Sequence, residues 1–157
     1  MRRNACLATI LLALCHAAPA QACTLCSCTA STSGLNFGSY DASSSVPNDA
    51  TGTVTLNCTG LVSLAGNITL TASPGNSGSA ATRKMTRGSS ILGYNLYTDI
   101  NRTAVWGDGQ GGTSTINSPL NGLLIFSQNA TIYGRISTHQ WAPVGTYSDT
   151  IVVTIEY

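Results

Sequence analysis

Thr53-Val54-Thr55-Leu56-Asn57-Cys58 decides the fold class of this 157-residue chain. Polar and apolar residues alternate strictly here, which predicts a half-buried β-strand with Val54, Leu56 and Cys58 on its buried face. Signals for helices are almost absent. Clusters of Gly, Asn, Pro and Ser separate further stretches of the same period, which are residues 67–72, 91–97, 123–136 and 150–157. The sequence therefore predicts an all-β domain, a two-sheet sandwich of six to seven strands.

The N-terminus has the pattern of an export signal. Arg2 and Arg3 precede a short apolar run, and Ala20-Gln21-Ala22 places small residues where a signal peptidase cleaves. The apolar run is shorter than the roughly 20 residues that span a bilayer, and no later segment is long and apolar enough. We therefore predict a signal peptide over residues 1–22 and one exported domain over residues 23–157, without a transmembrane segment.

The charge of the chain excludes several classes of partner. Seven basic and six acidic residues are present, and removal of the signal peptide leaves one more acid than base. A nearly neutral chain has no electrostatic footprint for nucleic acid or for an anionic membrane surface. Ser, Thr, Asn and Gly dominate instead, and this uncharged polar composition suits an extracellular protein.

The predicted mature chain keeps four cysteines, Cys23, Cys26, Cys28 and Cys58. An even number in an exported chain predicts disulfides, and four cysteines allow three pairings. One of the first three must join the N-terminus to the Cys58 region, and a Cys28–Cys58 bond would suit a staple between two sheets. A local Cys23–Cys26 disulfide would account for the other two. Their C-x-x-C spacing lacks a second pair at the distance that a zinc site needs.

Catalytic chemistry has few candidates in this sequence. His139 is the sole histidine after the signal peptide and Glu156 the sole glutamate, and no nucleophile elbow is present. A hydrolase would need His139 within hydrogen-bond reach of a serine or carboxylate. We therefore predict no catalytic residue, no cofactor and no metal, and a structural or adhesive role.

Several short motifs follow one another along the chain. They are Leu35-Asn36-Phe37-Gly38-Ser39-Tyr40, Gly52 to Cys58, Arg83-Lys84-Met85, Leu92 to Asp99, Trp106-Gly107-Asp108-Gly109, Ile132 to Ile136 and Gly145 to Asp149. In this order, over about residues 28–157, they resemble the spore coat protein U domain family, the subunits of archaic chaperone–usher pili.

This resemblance implies a fold and a set of partners. It implies an incomplete immunoglobulin-like sandwich that lacks its last strand and so leaves a hydrophobic groove. A periplasmic chaperone fills the groove first, and the N-terminal segment of a neighbouring pilus subunit then replaces it, which is β-strand addition. It also implies an outer-membrane usher, export through the periplasm, and a place in a cell-surface fimbrium that serves attachment or biofilm.

The resemblance also implies where the groove should lie. We expect its edge in the last strand, at Tyr147, Ile151, Val153, Ile155 and Tyr157. The five residues from Cys23 to Ser27 are shorter than an ordinary donor segment. A subunit that accepts a strand without donating one would sit at the fibre tip, or initiate the fibre.

A different reading is a stand-alone secreted protein that binds carbohydrate or a surface, or forms a coat. Trp106, Trp141, Tyr94 and Tyr97 would then form a contact patch with the Gly-rich loop, although Tyr94 also fits the core. Such a protein should be a stable monomer without a partner strand, whereas a pilus subunit should have chaperone and usher genes alongside its own.

Overall fold

Seven strands and two short 3₁₀ turns make up the fold, which confirms the predicted all-β class. The computed structural model describes residues 26–157, apart from the side chains of residues 61–65 and 120–124. The strands are β1 (Cys26–Thr32), β2 (Asn48–Ala72), β3 (Lys84–Arg87), β4 (Ser90–Gly93), β5 (Asn95–Tyr97), β6 (Ile116–Ile136) and β7 (Val153–Glu156), and the 3₁₀ turns are Gly75–Ser77 and Ala80–Thr82. The signal peptide lies outside the described residues and stays a prediction. Within residues 26–157, no helix is long and apolar enough to cross a membrane.

The two long strands, β2 and β6, pair antiparallel along most of their length. β1 pairs with the first half of β2, where Thr32 lies opposite Val54, and β7 pairs with the second half, where Val153 lies opposite Ala72. On a straight strand Val54 and Ala72 would be about 60 Å apart. Thr32 and Val153 nevertheless line the same cavity. The β2–β6 pair must therefore fold over, so that its two halves form the two layers of a sandwich.

The length of β2 corrects the prediction that residues 53–58 and 67–72 belong to separate strands. The register with β6 shifts between Thr59 and Ser63, and pairing continues on both sides of that shift. A shift of this kind bends a strand without ending it. Likewise, β6 begins at Ile116, within the Gly-rich residues 106–121, which were predicted to form a loop.

Residues 91–97 were predicted as one strand, but they divide into two. β4 pairs with β3 in a separate two-stranded sheet, and β5 pairs with β6. Tyr94 lies between them and is 9% exposed. The alternation of Leu92, Tyr94 and Leu96 survives the division because all three side chains still enter the core. A local pattern records which face is buried, and not which neighbour forms the hydrogen bonds.

The core lies between the two layers. Val54 and Leu56 enter it from the first half of β2, and Ile68 and Leu70 enter it from the second half. Trp106 packs among them with 2% of its surface exposed, and its Nε1 donates to the Leu70 carbonyl at 3.1 Å. Burial of each large apolar side chain of this kind contributes roughly 1.5 to 3 kcal/mol.

Arg83 is buried in this core with 1% of its surface exposed. Its guanidinium donates to the carbonyls of Ser73 and Trp106, each at 2.7 Å, and to Asn95 Oδ1 at 3.1 Å. Burial lowers the pKa of Arg83. The side chain thus joins the end of β2, the start of β5 and the Trp106 segment through one set of hydrogen bonds, so that none of these buried acceptors is left unpaired.

The Cys28–Cys58 disulfide is present, with Cα atoms 4.1 Å apart. The two residues lie directly opposite each other on β1 and β2, so the bond joins neighbouring strands of one sheet. The prediction that it would join two sheets was wrong, because cysteine spacing does not distinguish strands that pair from strands that stack. Cys26 is not free. Cys23 lies outside the described residues, and its pairing stays a prediction.

Replacing both cysteines, Cys28→Ala with Cys58→Ala, should lower the free energy of unfolding by about 3 to 4 kcal/mol. This bond closes a loop of 30 residues in the unfolded chain. Denaturant titration of the exported protein measures the change. Thr29→Ala, on the outer face of β1, is the control and should change stability by less than about 0.5 kcal/mol. A loss as small as that of the control would contradict the expected role.

Arg83→Met should lower the free energy of unfolding by about 3 kcal/mol, because several buried acceptors lose their donor at once. The matched control is Arg87→Met, since Arg87 is exposed at the end of β3. Its substitution should cost less than about 0.5 kcal/mol. Equal losses for the two arginines, measured by thermal unfolding, would show that the buried network contributes nothing specific.

Candidate functional site

Two strands of the sandwich have a free edge on the same side of the molecule. β6 occupies one side of β2, while β1 and β7 occupy the other. The Ser73 amide donates to the Val152 carbonyl at 2.9 Å, which sets the direction of the β7 hydrogen bonds. The backbone groups of Val153 and Ile155 therefore point away from β2. Among the described residues they meet no partner strand.

A groove runs between these two edges. Residues 32–42 form one wall, residues 141–153 form the other, and we call the space between them the edge groove. Its floor consists of core side chains, which are Val54, Met85, Leu92, Tyr94, Leu96, Trp106, Ile132 and Ile136. The section above Trp106 has a volume of 290 Å³. Voids larger than one water are few in a protein interior, so a space of this size is not a packing defect.

The inward-facing side chains along the groove are incompletely buried. Ile68 and Leu70 of β2 are 0% and 1% exposed. Ile151, Val153 and Ile155 follow the same alternation beside them but are half-buried. Both sets pack on the same core, and they differ in that no strand within residues 26–157 lies beyond β7. The burial pattern is that of a sandwich that lacks one strand.

Asp149 anchors the wall that leads into β7. Its Oδ2 accepts from the Tyr94 hydroxyl at 2.8 Å, and its Oδ1 accepts from the Asn76 amide at 3.0 Å. Ser148 exchanges two backbone hydrogen bonds with Thr86 of β3. Burial, together with the hydrogen bond to Asp149, raises the pKa of Tyr94 well above its usual value. These contacts hold the wall in place while its groove edge stays free.

Tyr40 anchors the opposite wall. Its hydroxyl donates to the Ser137 carbonyl at 2.9 Å and accepts from the Gln140 amide at 2.8 Å. The wall of residues 32–42 is thereby tied to the segment that follows β6, just before the second wall begins at Trp141. The segment before Tyr40 lies directly on β6, where a Cβ at Gly134 would come within 2.9 Å of Leu35 and Phe37 side-chain atoms. Glycine at this position is what allows the wall to approach the sheet.

Two apolar side chains project beyond the tied end of the edge groove. Trp141 is 82% exposed and Val144 is 97% exposed. Both belong to the loop that begins the second wall, and both line the wider section of the groove. This loop extends the apolar surface past the strand edges.

The five residues predicted for the groove edge fall into two groups. Tyr147, Ile151 and Val153 line the edge groove. Ile155 packs against the core at the end of β7, and Tyr157 lies beyond the strand and is 43% exposed. The structure thus brings four of the five to the core side of the last strand, while their part in binding a strand stays a prediction.

Sequence reasoning did not identify the opposite wall as part of the site. Leu35 and Phe37 were noted only as part of a family motif, although two apolar residues on either side of a polar residue are also typical of a β-strand. Phe37 packs edge-on against the Tyr94 ring, with centroids 5.8 Å apart. Asp149 also had no sequence signal as an anchor, because its partners Tyr94 and Asn76 are far away in the chain.

The expected contact patch of four aromatic residues does not form. Trp106 and Tyr94 are buried in the core at 2% and 9% exposure, whereas Trp141 projects into solvent. This part of the stand-alone reading was wrong, because Trp106 and Tyr94 both fill the core.

Catalytic and metal-binding groups are not assembled in the part of the chain that the structure describes. The His139 side chain hydrogen bonds to no serine or carboxylate in residues 26–157, and the residue adopts a left-handed φ of 59° in its loop. Over the same range, no cluster of three His, Cys, Asp or Glu side chains could hold a metal ion. The edge groove is apolar, with free backbone groups at its rims, so its chemistry suits an extended peptide.

Comparisons with known proteins agree with this geometry. A family model described as the Spore Coat Protein U domain matches residues 13–154. Protein U of Myxococcus xanthus is 35% identical over 134 residues, which cover 78% of this chain and 71% of that protein.

A solved structure has a similar fold. It is the CsuC–CsuE chaperone–tip adhesion subunit pre-assembly complex of the archaic chaperone–usher Csu pili of Acinetobacter baumannii. The TM-score is 0.55 at 20% sequence identity, and the match covers 85% of this chain. This chain spans 40% of the length of the matched chain, and at this identity the likeness extends to the fold alone.

The Tyr94–Asp149 contact predicts how stability depends on pH. Because the pKa of Tyr94 is raised in the folded state, the folded protein keeps this proton at a pH where the unfolded chain releases it. The free energy of unfolding should therefore fall as the pH rises above about 10, the pKa of an unperturbed tyrosine. Denaturant titrations at pH 8, 10 and 10.5 measure the slope. Tyr94→Phe should be less stable at pH 8 and should show a smaller slope, and an unchanged slope would assign the effect to other groups.

Proposed function

Because the chain belongs to the Spore Coat Protein U domain family, as its motifs predict, we propose that it is a pilus subunit whose edge groove accepts a β-strand from another polypeptide. The observation that carries this proposal is the pair of unpaired strand edges, in β1 and β7, on either side of an open section of core. The role is structural and needs no catalytic residue.

The edge groove offers both components of β-strand addition. The free backbone groups of Val153 and Ile155 provide main-chain hydrogen bonds, and the apolar floor provides pockets for alternate side chains. Each apolar side chain that fills such a pocket would stabilise the complex by roughly 1.5 to 3 kcal/mol. A strand with four or five apolar residues would therefore supply roughly 6 to 15 kcal/mol, which is comparable with the usual stability of a whole domain.

A subunit that binds by β-strand addition would need three partners. A periplasmic chaperone would fill the edge groove before assembly, an outer-membrane usher would export the subunit, and a donor segment of a neighbouring subunit would complete the fold at the cell surface. The Csu complex joins a chaperone to a pilus subunit, and its similar fold supports this sequence of events. The position at the fibre tip, the strand exchange itself and a role in biofilm belong to the same proposal.

A second candidate is a coat component that acts without a fibre. The description of the matching family model, the Spore Coat Protein U domain, favours it. In this case the sandwich would be stable by itself, and the edge groove would stay open or would be covered by another part of the surface.

Co-expression in a periplasm, with and without the chaperone encoded beside this gene, tests the proposal. We expect a soluble one-to-one complex with the chaperone on size-exclusion chromatography, and aggregation or proteolysis without it, because an unpaired edge over an open core is unstable. A soluble monomer that unfolds cooperatively without any partner would instead favour the coat component.

Val153→Lys against Val152→Lys provides a matched pair for this assay. Val153 lines the edge groove, while its neighbour Val152 points into solvent and is 60% exposed. A lysine at position 153 places a charge where an apolar pocket should be filled, and it should reduce recovery of the complex at least tenfold. Lysine at position 152 should leave recovery unchanged. Equal recovery of both variants would show that the groove is not the binding site.

A further inference from the structure

The outer face of the sheet that contains β1, β2 and β6 carries an ordered set of uncharged polar side chains. In one row Thr29 lies opposite Asn57, which lies opposite Ser127. In the next row Ser31, Thr55 and Asn129 are aligned in the same way. We call these six residues the polar face. Most of their neighbours along each strand, such as Ala30, Leu56 and Phe126, pack on the core, so the polar face is on the opposite side of the sheet from the edge groove.

Several of these groups have their hydrogen-bonding capacity free. The side chains of Ser31, Thr55 and Asn129 make no hydrogen bond within the described part of the chain. Ser127 Oγ donates to Asn57 Oδ1 at 2.8 Å, which fixes that amide in the adjacent row. Side chains in the row of Asn57 are thus partly held by a hydrogen bond within the protein, whereas those in the row of Thr55 are available to a partner.

The spacing of the polar face is regular. Neighbouring strands lie about 4.8 Å apart, and residues on one face of a strand repeat about every 6.7 Å. The β1–β2 register is continuous over this area, and the shift in the β2–β6 register begins only after Thr59. The hydroxyl and amide groups therefore form a regular array of donors and acceptors.

The charge and the side-chain types of the polar face favour some classes of partner over others. It carries no Lys or Arg for a nucleic acid or another anionic polymer. It also lacks the aromatic, Met and Arg side chains that enrich the centre of protein interfaces, where serine is depleted. Further along the same strands, Asp49 pairs with Arg135 at 2.7 Å, and Arg102 shares the same carboxylate at 3.3 Å, so both arginines are engaged outside the polar face. A neutral polymer that presents repeated hydroxyl groups matches such a face in both charge and hydrogen bonding.

We propose that the polar face binds an uncharged polysaccharide. The inference does not rest on the edge groove, because the two surfaces lie on opposite sides of one sheet and a strand in the groove would leave the polar face exposed. A fibre subunit and a coat component would both present it to solvent.

Depletion of the exported full chain from solution by amorphous cellulose and by cross-linked dextran tests this proposal, with calcium alginate as the anionic counterpart. The protein is used as it is purified, alone or with the chaperone that accompanies it. The face variant replaces Ser31, Thr55 and Asn129 with alanine. The control variant replaces Ser45, Thr82 and Asn101 with alanine, because these three are exposed and their side chains also make no hydrogen bond among the described residues.

We expect wild type and the control variant to bind at least one neutral polysaccharide with equal affinity, and the face variant to bind it at least fivefold more weakly with an unchanged far-UV spectrum. If the triple variant misfolds, the single change Thr55→Lys serves instead, since it inserts a charge in the centre of the face.

Four results would overturn the proposal. One is equal binding of wild type and the face variant, and another is absence of wild-type binding to both cellulose and dextran. The third is salt-sensitive binding to alginate in preference to the neutral polymers. Self-association that the face variant abolishes, without polysaccharide binding, would also overturn it and would identify a second copy of the chain as the occupant.

Discussion

The antiparallel pairing of β2 with β6 is the interaction on which the rest of this structure depends. β1 and β7 each hydrogen bond to β2, and β5 hydrogen bonds to β6, so three further strands are positioned by this pair. Because the pair folds over between its two halves, both layers of the sandwich contain the same two strands. The pair also determines where the sandwich is open, since β6 covers one side of β2 and leaves β1 and β7 with free edges on the other.

An open groove needs walls that do not collapse onto the core. Here polar anchors outside the groove supply that resistance. Asp149 ties one wall to Tyr94, and Tyr40 ties the other to the segment that follows β6. Arg83 fixes the buried backbone beneath them through several carbonyl acceptors. The floor can therefore remain apolar and accessible while the surrounding backbone is satisfied, which is compatible with the proposed addition of a strand.

The resemblance predicted a groove edge at one end of the chain. Tyr147, Ile151 and Val153 line the edge groove in the structure, and their part in binding a strand stays a prediction. The opposite wall comes from residues 32–42, more than a hundred positions earlier, and no local pattern joins the two. The Cys28–Cys58 bond shows the same limit, because its existence followed from cysteine count and family motifs whereas its place within one sheet did not.

The sequence by itself determined the all-β class, the buried face of each strand and the uncharged character of the surface, because side-chain alternation and composition are local properties. Only the tertiary structure decided that β2 is one continuous strand, that residues 91–97 divide between two sheets, and that Trp106 is core. It also decided that two free edges meet across an open groove, and that three strands align their Ser, Thr and Asn residues. Each of these depends on which strands pair, and pairing is a choice among distant partners that alternation along a single strand cannot encode.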